Sequence, residues 1–243
     1  MRILCFVLMS VLLLAGCTIE TQKVQKSTPE EKIVLHTEMP FFKQIDSGNC
    51  LQTNLKIALK YYYPEREYSF EQLDLETGRT QGKWTWTSQA MELLLDEGLD
   101  AYYYSTTPYL DILGGGEGFI IGYYGEDDGK VMIQHTDFDA LYSSIRSLND
   151  TARYNDEKLD FSAVENEFSN GRMVIMLIDR NVLTNPELSY AGHFVTITGI
   201  NSTHVTFHDT GGIPNRAVEK SRFTDAWNAP GTDNDVIIIK GKL

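Results

Sequence analysis

The sequence predicts an α+β fold in which a helical N-terminal half packs on a C-terminal antiparallel sheet. Three features lead to this. Stretches before Gly171 space their apolar residues as amphipathic helices do, whereas the later part holds β-branched and apolar runs divided by short turn clusters. Hydrophobic residues make up 42% of the 243-residue chain, which suits one domain with a sizeable core. There are only three cysteines, too few for a disulfide-stapled scaffold.

The N-terminus comes first. Residues 1–16 hold a basic Arg2 and an apolar run from Ile3 to Leu14 that only Ser10 interrupts. A membrane span needs about 18 or more apolar residues, so this reads as a secretory signal. Its ending, Leu14-Ala15-Gly16-Cys17, resembles the lipobox of prokaryotic lipoproteins. That resemblance implies a lipidated Cys17 as the mature N-terminus and an extracytoplasmic, lipid-anchored location at the cell membrane. Residues 17–37 have few apolar positions and no useful period, and are expected to be the lipidated cysteine and a solvated tether. The domain is expected over residues 38–243.

The formal net charge is −13; residues 1–16 hold Arg2 and no acid, so losing them makes it −14. A chain this acidic is a poor partner for a phosphate backbone, and no nucleic acid is expected. Membrane attachment would come from the lipid and not from a basic patch.

Cys5 leaves with the signal and Cys17 carries lipid, so Cys50 has no partner within the chain. An odd cysteine in an exported protein is either a reactive thiol or a buried, inert small hydrophobe. Its surroundings favour the first. In CLQTNLKIALKYYY, Leu51, Leu55, Ala58, Leu59 and Tyr62 share one helical face, Pro64 stops the helix, and Ser47 or Asn49 can cap it. Cys50 then lies in the first helical turn, where the positive end of the dipole favours thiolate.

A thiolate needs a base, and the base needs an orienting group. Of five histidines, His193 opens the run GHFVTITGI, whose β-branched residues favour a strand. Asn201-Ser202-Thr203 makes a turn, and HVTFHDT returns as a second strand ended by Gly211-Gly212. In a hairpin centred near Ser202, Asp209 lies across from His193 within a slip of a residue or two. The bland alternatives are a core histidine at His193 and a turn-capping carboxylate at Asp209. His208 should point to the other face, His204 sits at the turn, His36 is near the tether, and His135 is expected to end a strand.

These residues carry a family resemblance. Gln44, five intervening residues and then Cys50 at a helix start resemble the papain-like cysteine peptidases, which implies that the Gln44 side chain helps form an oxyanion hole. Otherwise Gln44 is an exposed loop amide. GHFVTITGI and HDTGGIPNR resemble the His and Asp segments of the bacteriocin-leader (double-glycine) peptidases, family thirty-nine of the cysteine peptidases, and above all their extracytoplasmic relatives without a transporter. GRMVIMLIDRNVL and RFTDAWN also fit that group. The resemblance covers roughly residues 38–240. It implies a papain-like fold and a thiol-dependent peptidase acting on a peptide or protein substrate, with catalytic Cys50, His193, Asp209 and Gln44 and no cofactor. Where many relatives have a small pair after the nucleophile, this chain has Leu51-Gln52. Double-glycine leader processing is not implied. The same site becomes a transpeptidase if an amine replaces water, and a catalytically idle peptide- or envelope-binding lipoprotein is the third reading.

The remaining stretches read as framework. WTWTSQAMELLLDEGLDAYYYS is a helix capped by Thr87 or Ser88, then a strand. Trp84 and Trp86 either line a groove or pack. GGGEG lacks the Lys-Ser or Lys-Thr of a phosphate loop and is expected to be a flexible turn. FDALYSSIRSLND and FSAVENEFSNG are amphipathic helices, RMVIMLID is a central strand, and VIIIKGKL closes the sheet. No metal-ligand spacing and no dinucleotide fingerprint is present.

Overall fold

A computed structural model describes residues 34, 35 and 38–243. The expected signal, Cys17, His36 and most of the tether lie outside the described residues.

In chain order the elements are β1 (Val34–Leu35), α1 (Cys50–Tyr62), α2 (Phe70–Glu76), α3 (Thr87–Asp96), β2 (Leu99–Ser105), α4 (Tyr109–Tyr124), α5 (Glu126–Gln134) and α6 (Phe138–Asn149). Then come β3 (Tyr154–Asp156), α7 (Phe161–Ser169), β4 (Met173–Asp179), α8 (Arg180–Thr184), β5 (Gly192–Ile200), β6 (His204–Asp209), β7 (Ile213–Glu219), α9 (Lys220–Trp227) and β8 (Val236–Lys242). The sheet runs β3-β2-β8-β4-β5-β6-β7, with β1 paired to β5. Every neighbour pair is antiparallel except β2–β3. This is the α+β, papain-like arrangement expected: a helical half set against an antiparallel sheet, with the thiol on α1 and the imidazole on β5.

The sheet is covered on both faces. Met173 and Ile175 of β4 join one core cluster with Leu51, Leu55 and Leu59 of α1 and Met91 and Leu94 of α3. Their neighbours Val174, Met176 and Ile178 join a second cluster with Phe168 of α7 and Phe223 and Trp227 of α9. Period-two alternation therefore feeds two cores, which is why RMVIMLID is apolar at almost every position. VIIIKGKL behaves the same way, because β8 lies between β2 and β4 and does not close the sheet as expected. The edge next to the site is β7, with Pro214 and with Asn215 at φ 49°.

Helix α1 is buried nearly all round, including Gln52, Thr53 and Asn54. The Asn49 amide precedes it but does not cap it, since its Oδ1 accepts from the backbone N–H groups of Ile45 (3.2 Å) and Asp46 (3.3 Å). Trp86, and not Thr87 or Ser88, is the capping position of α3, where its backbone N–H donates to Gln89 Oε1 at 2.8 Å. The glycine run expected as a turn is inside α4, which kinks at Gly116 (φ 58°, ψ −141°) because only glycine takes that backbone at little cost. His135 follows a helix, α5, and not a strand.

Trp227 anchors the second core at 1% exposure, edge-on to Phe161 at 6.0 Å, with its Nε1 donating to the Asp235 carbonyl at 3.3 Å. Trp227→Ala should cost about 3–5 kcal/mol of unfolding free energy, read by chemical denaturation. A loss under about 1 kcal/mol would show that this face is not a packed core.

Candidate active site

The nucleophile position is set by a braced loop. Arg79, whose side chain is 2% exposed, reaches Asp46 with Nη2 (3.1 and 3.2 Å), Asp74 with Nη1 and the Lys83 carbonyl with Nε (2.7 Å). Asp46 Oδ1 also accepts from the Gly48 N–H at 2.7 Å. A side chain at Gly48 would begin 3.2 Å from Arg79 Nη2 and 3.3 Å from both the Lys83 carbonyl and Trp84. Glycine is what lets the loop pass this close before α1 begins at Cys50.

One turn into α1, the fully buried Asn54 fastens the helix to the sheet. Its Nδ2 donates to the Cys50 carbonyl (2.8 Å) and the Phe194 carbonyl (2.9 Å), and its Oδ1 accepts from Thr196 Oγ1 (2.6 Å). Phe194 directly follows His193 on β5, so one amide fixes the separation of thiol and imidazole.

His193 is 5% exposed and interacts with Cys50 on one side. On the other, its Nε2 donates to Asp209 Oδ1 at 2.9 Å. With Nε2 committed to the carboxylate, Nδ1 is the nitrogen left for the sulfur. The β5–β6 register sets Thr196 opposite His208, so Asp209 lies two places along from His193 and the contact is a diagonal one. Asp209, 1% exposed, also accepts from the Gly211 N–H at Oδ1 (3.0 Å) and from Arg216 Nη1 at Oδ2 (2.9 Å).

Burial pushes the half-buried Cys50 thiol up, but the hydrogen bond and charge of His193, with the backbone N–H groups of Phe194 and Leu51, outweigh it and hold the thiol below its usual value. Burial works against charge on His193 too, yet Asp209 and Cys50 push it up to about 9. Asp209 is held well below the carboxylate range: burial opposes this, and His193, Arg216 and Gly211 overcome it. Both directions favour the thiolate–imidazolium form of the pair.

Gln44 joins the same loop and is tied to the residue after Asp209. Its N–H donates to the Thr210 carbonyl (2.9 Å), and its Oε1 accepts from Thr210 Oγ1 (3.1 Å). Its Nε2 donates to the Asp46 carbonyl at 2.9 Å, leaving a second amide proton. His208 is buried with Nε2 toward the Met39 carbonyl (3.3 Å) and Nδ1 accepting from the Asn215 N–H (3.2 Å), so it is a framework residue. His204 is exposed beside Thr203. Trp84 stacks on His135 at 4.7 Å and abuts Gly48, whereas Trp86 packs in the core and donates to Thr136 Oγ1 at 3.0 Å.

Asn54 and Arg216 escaped the sequence reading. Asn54 could have been found as a polar residue four positions after Cys50 on a buried helix. Arg216 could have been found as the cation that the Gly211-Gly212 turn carries back beside Asp209.

The family model described as the Peptidase_C39 like family matches residues 36–234. No curated protein matches the chain. Similar solved structures include the peptidase domain of Streptococcus ComA, a bi-functional ABC transporter involved in a quorum sensing pathway. It shares 12% identity at a TM-score of 0.45, over 84% of this chain and 99% of that one. A C39-like peptidase from Bacillus anthracis shares 13% at a TM-score of 0.46, over 87% and 98%. Assignment rests on the family match and not on these two. Since that match runs from the edge of the expected tether to the loop before β8, the chain belongs to the Peptidase_C39 like family, and membership points to a cysteine peptidase.

Proposed function

We propose that this protein is a thiol-dependent peptidase held at the outer face of the cell membrane by lipid on Cys17. The observation that carries the catalytic reading is the convergence of Cys50 at the start of α1, His193 on β5 and Asp209 on β6, with His193 hydrogen-bonded to Asp209 at 2.9 Å and its influence lowering the Cys50 thiol. Cys50 Sγ attacks the amide carbonyl of a peptide. The backbone N–H of Cys50 and the free amide proton of Gln44 stabilise the oxyanion, once substrate has drawn Gln44 toward the carbonyl. His193 gives its Nδ1 proton to the leaving amine, and the C–N bond breaks to leave a thioester. His193 then takes a proton from water, whose oxygen attacks the thioester and releases the acid and the Cys50 thiolate, restoring the starting pair. Asp209 keeps the ring oriented and the imidazolium stable. A catalytically idle binding protein would not need a thiol tuned in this way.

Kinetics on a fluorogenic peptide library test the roles. Cys50→Ala and His193→Ala should each lose roughly 10³-fold or more of kcat/KM, and Asp209→Ala less. Full activity in Cys50→Ala would remove Cys50 as the nucleophile, and no cleavage by the folded wild type would leave the binding reading standing.

The kcat/KM profile should be bell-shaped. Its acid limb is loss of thiolate below the lowered thiol value, and its alkaline limb is loss of the imidazolium as pH rises through about 9. The raised imidazole also stabilises the fold fully below its ordinary 6.5, and that contribution disappears through the same alkaline range. An alkaline limb near pH 6.5 would contradict the ion pair.

Lipidation is tested by fractionation. Cys17→Ser should leave the protein unprocessed or release it from membranes, and a mature, membrane-bound variant would refute the anchor.

A further inference from the structure

We propose that Arg216 is a positioning residue of the site, setting both the orientation of Asp209 and the strength with which Asp209 holds the His193 proton. This rests on the reading of Cys50, His193 and Asp209 as a working triad.

The geometry divides the Asp209 carboxylate between two sets of donors. Oδ1 takes His193 Nε2 at 2.9 Å and the Gly211 N–H at 3.0 Å, and Oδ2 takes Arg216 Nη1 at 2.9 Å. Turning the carboxylate toward any other arrangement breaks at least one of these bonds inside a 1% exposed site. Arg216 is itself held: Nη2 lies 3.4 Å from the Leu183 carbonyl, and the guanidinium lies 5.9 Å from the centre of the Phe207 ring. It comes from β7, so the β6–β7 turn brings a cation to the back of the carboxylate while β5 brings the imidazole to the front.

The charges form an alternating line: thiolate on α1, imidazolium on β5, carboxylate on β6 and guanidinium on β7. Two further cations approach from outside the line. The position that a side chain at Gly211 would take is 3.0 Å from Asp209 Oδ1 and 3.4 Å from Arg180 Nη2 of α8. Lys43 lies against Gly212. Tyr190, in the segment before β5, lies against Gly192 and Gly231, and its phenol is held well above its usual range by burial and by Asp235, Asp233 and Asp179, with Cys50 adding least. Of Arg216, Arg180 and Lys43, only Arg216 is hydrogen-bonded to the carboxylate.

Its removal has two consequences of known sign. The carboxylate charge, no longer shared with a cation, holds the imidazolium more tightly, so His193 loses its proton at higher pH. Oδ2 also becomes a buried acceptor without its donor, and the carboxylate is free to turn out of line.

The test is the pH dependence of iodoacetamide alkylation of Cys50 in the full chain, read by mass spectrometry on the peptide containing Cys50, together with kcat/KM on the fluorogenic peptide library. Circular dichroism checks folding. In Arg216→Gln the alkaline step of alkylation should move up by roughly 0.5–1 pH unit. Its kcat/KM should fall about tenfold from the lost alignment. Arg216→Lys keeps the charge without the fork. It should leave the step within about 0.3 unit of wild type and lower kcat/KM several-fold, and it carries the test if Arg216→Gln does not fold. A wild-type alkaline step in Arg216→Gln, or an upward shift in Arg216→Lys, would overturn the assignment. Failure of the triad reading looks different: wild-type Cys50 would then show no alkaline step that His193→Ala abolishes.

Discussion

The site depends on one buried amide. Asn54 joins α1 to β5 through two hydrogen bonds, from its nitrogen to the Phe194 carbonyl (2.9 Å) and to its oxygen from Thr196 Oγ1 (2.6 Å), while a third, of 2.8 Å, ties it back to the Cys50 carbonyl within α1. Sulfur and imidazole belong to different layers, so their separation is only as well defined as the contact between helix and sheet. Apolar packing by Leu51 and Leu55 presses the layers together but is indifferent to small slides along the interface. An amide with fixed donor and acceptor directions is not, and leaving its partners unsatisfied inside the protein would cost about 1–3 kcal/mol each. The core supplies the force, and Asn54 supplies the register.

A second constraint acts on the approach to α1. The buried Arg79 guanidinium gathers Asp46, Asp74 and the Lys83 carbonyl, and Asn49 ties down the N–H groups of Ile45 and Asp46. The loop from Gln44 to Cys50 is therefore fixed from both sides. The Gln44 amide is held as well, by the Asp46 carbonyl and Thr210 Oγ1, with one of its two protons left over. That spare proton is the one the proposed oxyanion role would use, on a backbone that stays still.

Much of this was legible in the sequence, and the exceptions share a cause. Cys50 at a helix start, His193 at a strand start and Asp209 across a turn follow from local signals: apolar spacing, β-branched runs and the Asn201-Ser202-Thr203 turn. What local signals misplace is whatever tertiary context decides. GGGEG has turn composition, and the backbone does leave helical geometry at Gly116, but helix runs on either side of that kink, where Ile112 and Ile120 are buried in the core. VIIIKGKL comes last in the chain, but sequence order does not give sheet order, and its unbroken apolar run was the better guide to a central place. The diagonal offset between His193 and Asp209 arises from the register of β5 on β6, which a turn-centred count fixes only to within a residue or two. Arg216 falls in IPNRAVE, where Pro214 and Asn215 mask the strand.

That masked strand has a consequence for solubility. β7 is the open rim of the sheet, where unpaired backbone groups would invite a strand from another molecule. Pro214 offers no N–H there, and Asn215 at φ 49° takes the chain out of the extended form. Glu219 adds an exposed charge at the far end, and Arg216 turns its own charge inward. The features that disguise β7 in the sequence are those that keep an open rim from recruiting a neighbour. The strand that steadies the carboxylate is thus also the one that guards the fold against stacking edge to edge.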